Sequence, residues 1–268
     1  MNLPTQRFLS ASALLLAAVW IWLRDPSWLS LSTDAAAIVL ALPLALWLAT
    51  PIRLRSEPRP LSGALLLTAL AAFLAGIVTD LTLLLAIAWS LAAVERLRAL
   101  TIPSLPTWRI GLLATFAFPW IYFDAQALGF AFRLSGAWVN ESLFATLGFP
   151  VEREGTLISI DGLQVSVEAA CSGLSLLQAL FIGGISVAML LIPQAKPFMA
   201  ALLCIPLLAW LANTVRMVVI TMVGLSTTVE AASGLFHEWG GLLVILLMLL
   251  LAASLFTVFQ RLAPNPAD

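Results

Sequence analysis

LSLLQALFIGGISVAMLLI, residues 174–192, is an apolar run of membrane-spanning length, since about 20 such residues cross the ~30 Å of a bilayer's hydrocarbon. It follows directly on Val167-Glu168-Ala169-Ala170-Cys171-Ser172-Gly173, the end of the longest polar interval in the chain. A cysteine at that junction belongs at the membrane surface, in the first turn of a helix. Backbone N–H groups and the positive end of the helix dipole favour a thiolate there, the nucleophilic form of the residue. The competing reading is a small buried hydrophobe, because free cysteines are among the most buried residue types. The rest of the chain must decide between them.

Composition sets the class. The chain is 62% hydrophobic and 10% charged, with a mean hydropathy of +1.04, whereas soluble domains carry nearer ~25% charged residues. An all-α polytopic membrane protein is expected. A net charge of −1 argues against a nucleic-acid partner, which calls for a basic excess. Two cysteines in 268 residues make no disulfide framework, and neither a cofactor nor a metal is expected. The first apolar run ends in Trp20-Ile21-Trp22-Leu23-Arg24 without a small-x-small cleavage site, so a retained anchor is expected in place of a signal peptide.

Eight spans are expected, at roughly 8–23, 35–49, 61–78, 81–94, 110–123, 174–192, 198–224 and 235–259. Cationic residues give the orientation. Arg53, Arg55 and Arg59 lie in loop 51–60, and Arg96, Arg98 and Arg109 in loop 95–109. With eight spans these loops share a side with Lys196 and both termini, which are therefore expected in the cytoplasm. The other side carries Asp25, Asp34, Asp80, Asp124 and Glu230, with Arg24, Arg133 and Arg153 as its only cations. The chain reads as one membrane domain, with an N-terminal four-helix part at 1–109 and a core at 110–262.

The sizeable non-spanning segment is 124–170, expected outside the membrane. Leu128, Phe132, Leu134, Trp138, Leu143, Phe144 and Leu147 recur at helical spacing, which predicts an amphipathic helix over 125–147 on the outer leaflet or packed over the bundle. Gly148-Phe149-Pro150 ends it. Alternating residues then flank Asp161-Gly162, the strongest short signal for a β-hairpin. The hairpin would lead directly into Cys171.

Lipid penalises two further features. Arg216 lies inside the seventh span, about 12 Å below its outer end at ~1.5 Å per residue. An arginine at a helix centre costs at least ~2.5 kcal/mol in a bilayer, so it normally faces the protein interior or a wet cavity; snorkelling to the interface is the other reading. Asn213, three residues earlier, shares its face. His237, the only histidine, opens the last span at its outer end. A lone interfacial histidine is often incidental, yet it is the usual acid/base of neutral pH. A cysteine nucleophile needs a base for its proton and a cation for the developing oxyanion, and Cys171, His237 and Arg216 are those residue types on three consecutive spans. Cys204, about 30 Å from the outer end of its span at ~1.5 Å per residue, is a core residue. Gly173, Gly183, Gly184, Gly240 and Gly241 permit close helix approach.

Ala170-Cys171-Ser172-Gly173-Leu174, then Asn213-x-x-Arg216, then His237-x-x-Gly240 resembles the exosortase/archaeosortase family of integral-membrane cysteine transpeptidases, over roughly residues 110–259. The resemblance implies a protein-sorting enzyme in the cell (inner) membrane with an extracytoplasmic site. Its partners would be exported proteins bearing a C-terminal signal: a motif such as Pro-Glu-Pro, a transmembrane helix and a basic tail. It implies Cys171 as nucleophile and Arg216 and His237 as the rest of a triad, supported by Ser172, Gly173 and Asn213. Two alternatives stay open from the residues alone. One is a transporter or assembly factor that binds an anionic substrate or lipid through Arg216. The other is an acyltransferase of polysaccharide synthesis.

Overall fold

The computed structural model describes residues 3–30, 32–161, 163–166, 173–227 and 235–262. The chain is mostly helical, with two small sheets, and divides into two compact units, Met1–Asp124 and Ala125–Asp268.

The first unit comprises α1 (Leu3–Leu23), α2 (Ser32–Leu48), α3 (Gly63–Thr79), α4 (Thr82–Leu100), α5 (Thr107–Thr115) and α6 (Trp120–Asp124), with strands β1 (Arg53–Leu54) and β2 (Thr101–Ile102). α3 and α4 form a tight antiparallel pair. Asp80 turns the chain between them in the left-handed region (φ 58°), a conformation that Asp and Asn adopt more readily than most residues. Asp80 also pairs with Arg24. Gly76 lets the two helices touch, since a Cβ there would stand 2.8 Å from Leu85 Cδ2. The N-terminus of α4 has no cap of its own; Asp124 supplies one, accepting from the N–H groups of Thr82 (3.3 Å) and Leu83 (2.6 Å). An anion there suits both the orphan donors and the helix dipole.

The run at 110–123 is not one helix. It breaks between α5 and α6 at Phe116–Pro119, because Pro119 lacks an N–H and disfavours helical backbone at Phe118. At the other end of the unit the two arginine-bearing loops pair with each other. β1 and β2 are antiparallel, Arg53 opposite Ile102, and Arg59 N–H donates to Ala99 O at 2.9 Å. Just past the expected end of the fourth span, buried Glu95 is held by Arg98 and by the Ser62 N–H. The Arg98 hydrogen bond keeps the Glu95 carboxyl below its ordinary 4.5, against the opposing effect of burial. The stabilisation is therefore complete above that ordinary value and is lost as the pH falls through the lower folded value. Thermal stability in detergent should drop more steeply in acid for the native chain than for Glu95→Gln, which would already be destabilised at neutral pH.

The second unit comprises α7 (Gln126–Thr146), strands β3 (Val151–Glu154), β4 (Leu157–Ile160) and β5 (Leu163–Ser166), then α8 (Leu174–Leu191), α9 (Ala195–Ser226) and α10 (Leu235–Leu262). The outer helix falls where the periodicity predicts it, but its facing differs. Gly129, Phe132, Gly136, Ala137, Asn140 and Phe144 are buried, whereas Leu128, Leu134, Trp138, Leu143 and Leu147 are exposed. Small residues let α7 approach α9: a Cβ at Gly136 would lie 3.0 Å from Met217 Sδ. β4 and β5 pair antiparallel, with Ile160 opposite Leu163, as the expected hairpin requires; Gly162 itself lies outside the described residues. A further turn at Gly155 (φ 62°) splits the arm before it, so the sheet is a three-stranded meander, order β3-β4-β5. Ile158 and Ile160 point inward and pack with Ala137, Phe144 and Met217. Arg153 pairs with Glu141 and ties the sheet to α7.

Among the described residues three helices are long and apolar enough to cross a membrane: Leu174–Leu191, Ala195–Ser226 and Gly240–Arg261. Ala11–Leu23, Ala35–Leu48 and Gly63–Thr79 are shorter apolar helices. α8 and α10 meet at Gly183, where a Cβ would stand 2.7 Å from Leu249 Cδ2, and α8 meets α9 at Gly184, 3.0 Å from Ile205 Cδ1. Without a hydrophobic drive between helices in lipid, such contacts are what hold a bundle together.

Candidate active site

The candidate site lies where the N-terminus of α8, the C-terminal half of α9 and Gly241 of α10 meet. Gly173 precedes α8 with φ 74°, and its C=O accepts the first helical bond, from Leu177 N–H at 2.8 Å. Its bare Cα is backed by Asn213. A Cβ at position 173 would stand 2.8 Å from Asn213 Cγ and 3.1 Å from its Nδ2. Glycine is therefore required twice, for the left-handed backbone and for the close approach. Gly173→Ala should cost about 1–2 kcal/mol from the backbone alone, with overpacking against Asn213 added to it. The check is a thermal melt of the purified variant. A Gly173→Ala/Asn213→Gly double variant should recover the overpacking part and leave the backbone part.

Asn213 and Arg216 lie three residues apart on α9, on one helical face, and both are buried, exposing 1% and 8% of their surface. Asn213 Nδ2 is also 3.7 Å from Met217 Sδ. The burial resolves the two readings of Arg216: the side chain is turned into the protein and does not snorkel outward. Its guanidinium runs beside α10, since a Cβ at Gly241 would lie 3.9 Å from both Cζ and Nε. Position 241 is four residues after His237 on α10, hence on the same face one turn along. The structure thus brings Gly173, Asn213, Arg216 and Gly241 into one neighbourhood. Cys171 and Ser172 lie outside the described residues, as does the side chain of His237.

Cys204 sits lower on α9, partly buried, its Sγ 3.7 Å from Ala200 O within its own helix. It is separated from Arg216 by roughly 18 Å at ~1.5 Å per residue. Two further buried polar residues of this unit were not singled out in the sequence. Thr214, buried beside Asn213, gives its hydroxyl to Trp210 O at 2.9 Å. Asn140 on α7 is fully buried and donates to Gly136 O at 2.9 Å. A polar residue within a helical apolar pattern was the available signal for both. Among the described residues no cluster of His, Cys, Asp and Glu could hold a metal ion.

A helical chain with long apolar helices, a buried arginine and close glycine contacts between helices is a helical membrane protein. The match to known families is specific: the chain belongs to the family described as Transmembrane exosortase (Exosortase_EpsH), whose model matches residues 11–254. No curated protein and no solved structure matches the chain.

Proposed function

We propose that the protein is a membrane-embedded cysteine transpeptidase or protease that cleaves a C-terminal sorting signal from exported proteins at the extracytoplasmic face. Its catalytic residues on this reading are Cys171, Arg216 and His237, supported by Ser172, Gly173 and Asn213. The chain crosses the membrane eight times with both termini in the cytoplasm, residues 110–262 form the catalytic core, and segment 124–170 forms the outer recognition surface. One observation carries the reading. The buried guanidinium of Arg216 runs beside Gly241, one turn from His237, while Asn213 on the same face packs on Gly173. Two residues of chain span at most ~7 Å, which keeps Cys171 close to Gly173.

The chemistry follows from the residue types. The Cys171 thiolate attacks the carbonyl carbon of the scissile peptide, forming a C–S bond and an oxyanion. Arg216 donates hydrogen bonds to that oxygen; in a water-poor site such donors stabilise the transition state strongly. As the tetrahedral intermediate collapses, the C–N bond breaks and protonated His237 gives its proton to the departing amine. The thioester that remains is attacked by an amine or by water, whose proton neutral His237 removes, and the C–S bond then breaks to release the product and restore the Cys171 thiolate beside protonated His237. The signal's motif, helix and basic tail would present the peptide at the outer surface, where the membrane-spanning part of the substrate can lie beside the enzyme's own helices.

A membrane-impermeant maleimide applied to intact spheroplasts tests the assignment. It should label Cys171, leave Cys204 unlabelled and stop processing of a signal-bearing reporter. A chain labelled at neither cysteine that processes its reporter normally would contradict it.

A further inference from the structure

The first unit contains a cavity of about 390 Å³ between α1, α2, α4 and α5, within the ~300–1,000 Å³ range of ligand pockets. It has no part in the chemistry proposed above. Its walls are apolar side chains: Leu14 and Leu15 from α1, Leu42 and Leu46 from α2, Trp89 and Ile110 from α4 and α5. The inner wall is well packed, with Ala45, Ile110 and Ala114 nearly inaccessible. The outer wall is not, because Leu15 and Leu46 expose 62% and 54% of their surface. α1 leans on α4 and α2 leans on α5, which leaves the opening between α1 and α2. The Trp89 indole fixes one edge by donating to Leu14 O at 2.7 Å.

One end of this crevice is basic. Arg96 is part of its lining, and so is Thr101, whose C=O accepts from Arg55 Nε at 3.0 Å. In the paired loops nearby, Arg98 is taken up by Glu95 and Arg109 is buried, which leaves Arg53 and Arg59 exposed against Glu57. An apolar slot open sideways towards lipid and bordered at one end by Arg96 is matched by an acyl chain joined to an anionic head group. Basic pockets between membrane helices bind such head groups by the same logic.

We propose that this crevice is a binding site for one anionic phospholipid, with an acyl chain between α1 and α2 and its phosphate against Arg96. Neither the chain nor the head group alone fits all of the lining. The bound lipid would fill the gap between α1 and α2 and so stiffen the first unit.

Native mass spectrometry of the delipidated full-length protein tests this, titrating phosphatidylglycerol, phosphatidylcholine with the same acyl chains, and glycerol phosphate. One phosphatidylglycerol should bind at least tenfold more tightly than phosphatidylcholine. Arg96→Gln should remove that preference while keeping chain binding, and Ala93→Trp, which fills the crevice, should abolish both. Leu74→Trp, on an exposed position of α3, should change neither and controls for added bulk. Thermal melts identify variants that have not folded; in that case Arg96→Lys, which retains charge, should keep the preference. Equal binding of the two lipids by the native protein, or full binding by folded Ala93→Trp, overturns the proposal. Glycerol phosphate binding as tightly as phosphatidylglycerol overturns it in favour of a simple anion site.

Discussion

On the proposed mechanism, Cys171→Ala should leave a signal-bearing reporter at full length, with no shortened product, in cells where the native chain is expected to convert it. The expected loss is the whole of the activity, because no other group in the proposed site can form the acyl intermediate. Cys204 offers no substitute from deep within α9, where its Sγ lies against Ala200 O. Cys171→Ser should be nearly as severe, since a site that holds a thiolate does not ionise the far less acidic hydroxyl of serine. Immunoblots of membrane fractions should show both variants at native abundance, because Ala and Ser differ little from Cys in volume. Loss of the protein from the membrane would mean a packing role, the bland reading of this cysteine.

The second large effect is at Arg216. Replacement by Gln should lower processing by about 10²–10³-fold, the range for removal of one oxyanion donor, and more if the guanidinium also stabilises the thiolate. Arg216→Lys should recover little, because an ammonium cannot offer the planar fork of the guanidinium and a shorter reach leaves it among the apolar residues of α9. Arg216→Met should process nothing, and its thermal melt beside that of the native protein shows whether folding is kept. A stable and inactive variant would separate catalysis from folding. Processing within twofold of native by Arg216→Met would remove the arginine from the chemistry.

Much of the fold was legible because long apolar runs have few alternatives, and α8, α9 and α10 fall close to the expected spans. The outer helix was equally clear in extent, expected over 125–147 and found as Gln126–Thr146. Its facing was not. Periodicity gives a period but no phase, and in lipid the large apolar side chains need no burial while the small ones permit helix contact. Hence Trp138 and Leu147 lie outside and Gly136 and Ala137 inside. The meander shows the same limit: Asp161-Gly162 announced one turn, while residues 151–160 read as a single arm that hid the second turn at Gly155. Pro119, which divides α5 from α6, was visible in the sequence, but one proline in an apolar run can kink a helix or end it.

For the site, the sequence marked the costly residues and could not mark their neighbours. Arg216 and Asn213 stood out because lipid penalises them. That Gly173 backs onto Asn213 and Gly241 onto Arg216 depends on how three helices pack, which no local pattern encodes. Gly241 is the structural addition to the candidate set, while at Gly173, already in it, the approach of Asn213 Cγ to 2.8 Å of a Cβ leaves no room for a side chain.

The central claim is a covalent intermediate on Cys171, and the most direct test is the intact mass of purified enzyme quenched in acid during turnover of a signal-bearing peptide. The account predicts an adduct equal to the peptide's N-terminal fragment, mapped to Cys171, released by hydroxylamine and absent in Cys171→Ala. Continued processing with no adduct under any quench, or an adduct mapped elsewhere in the chain, would contradict it.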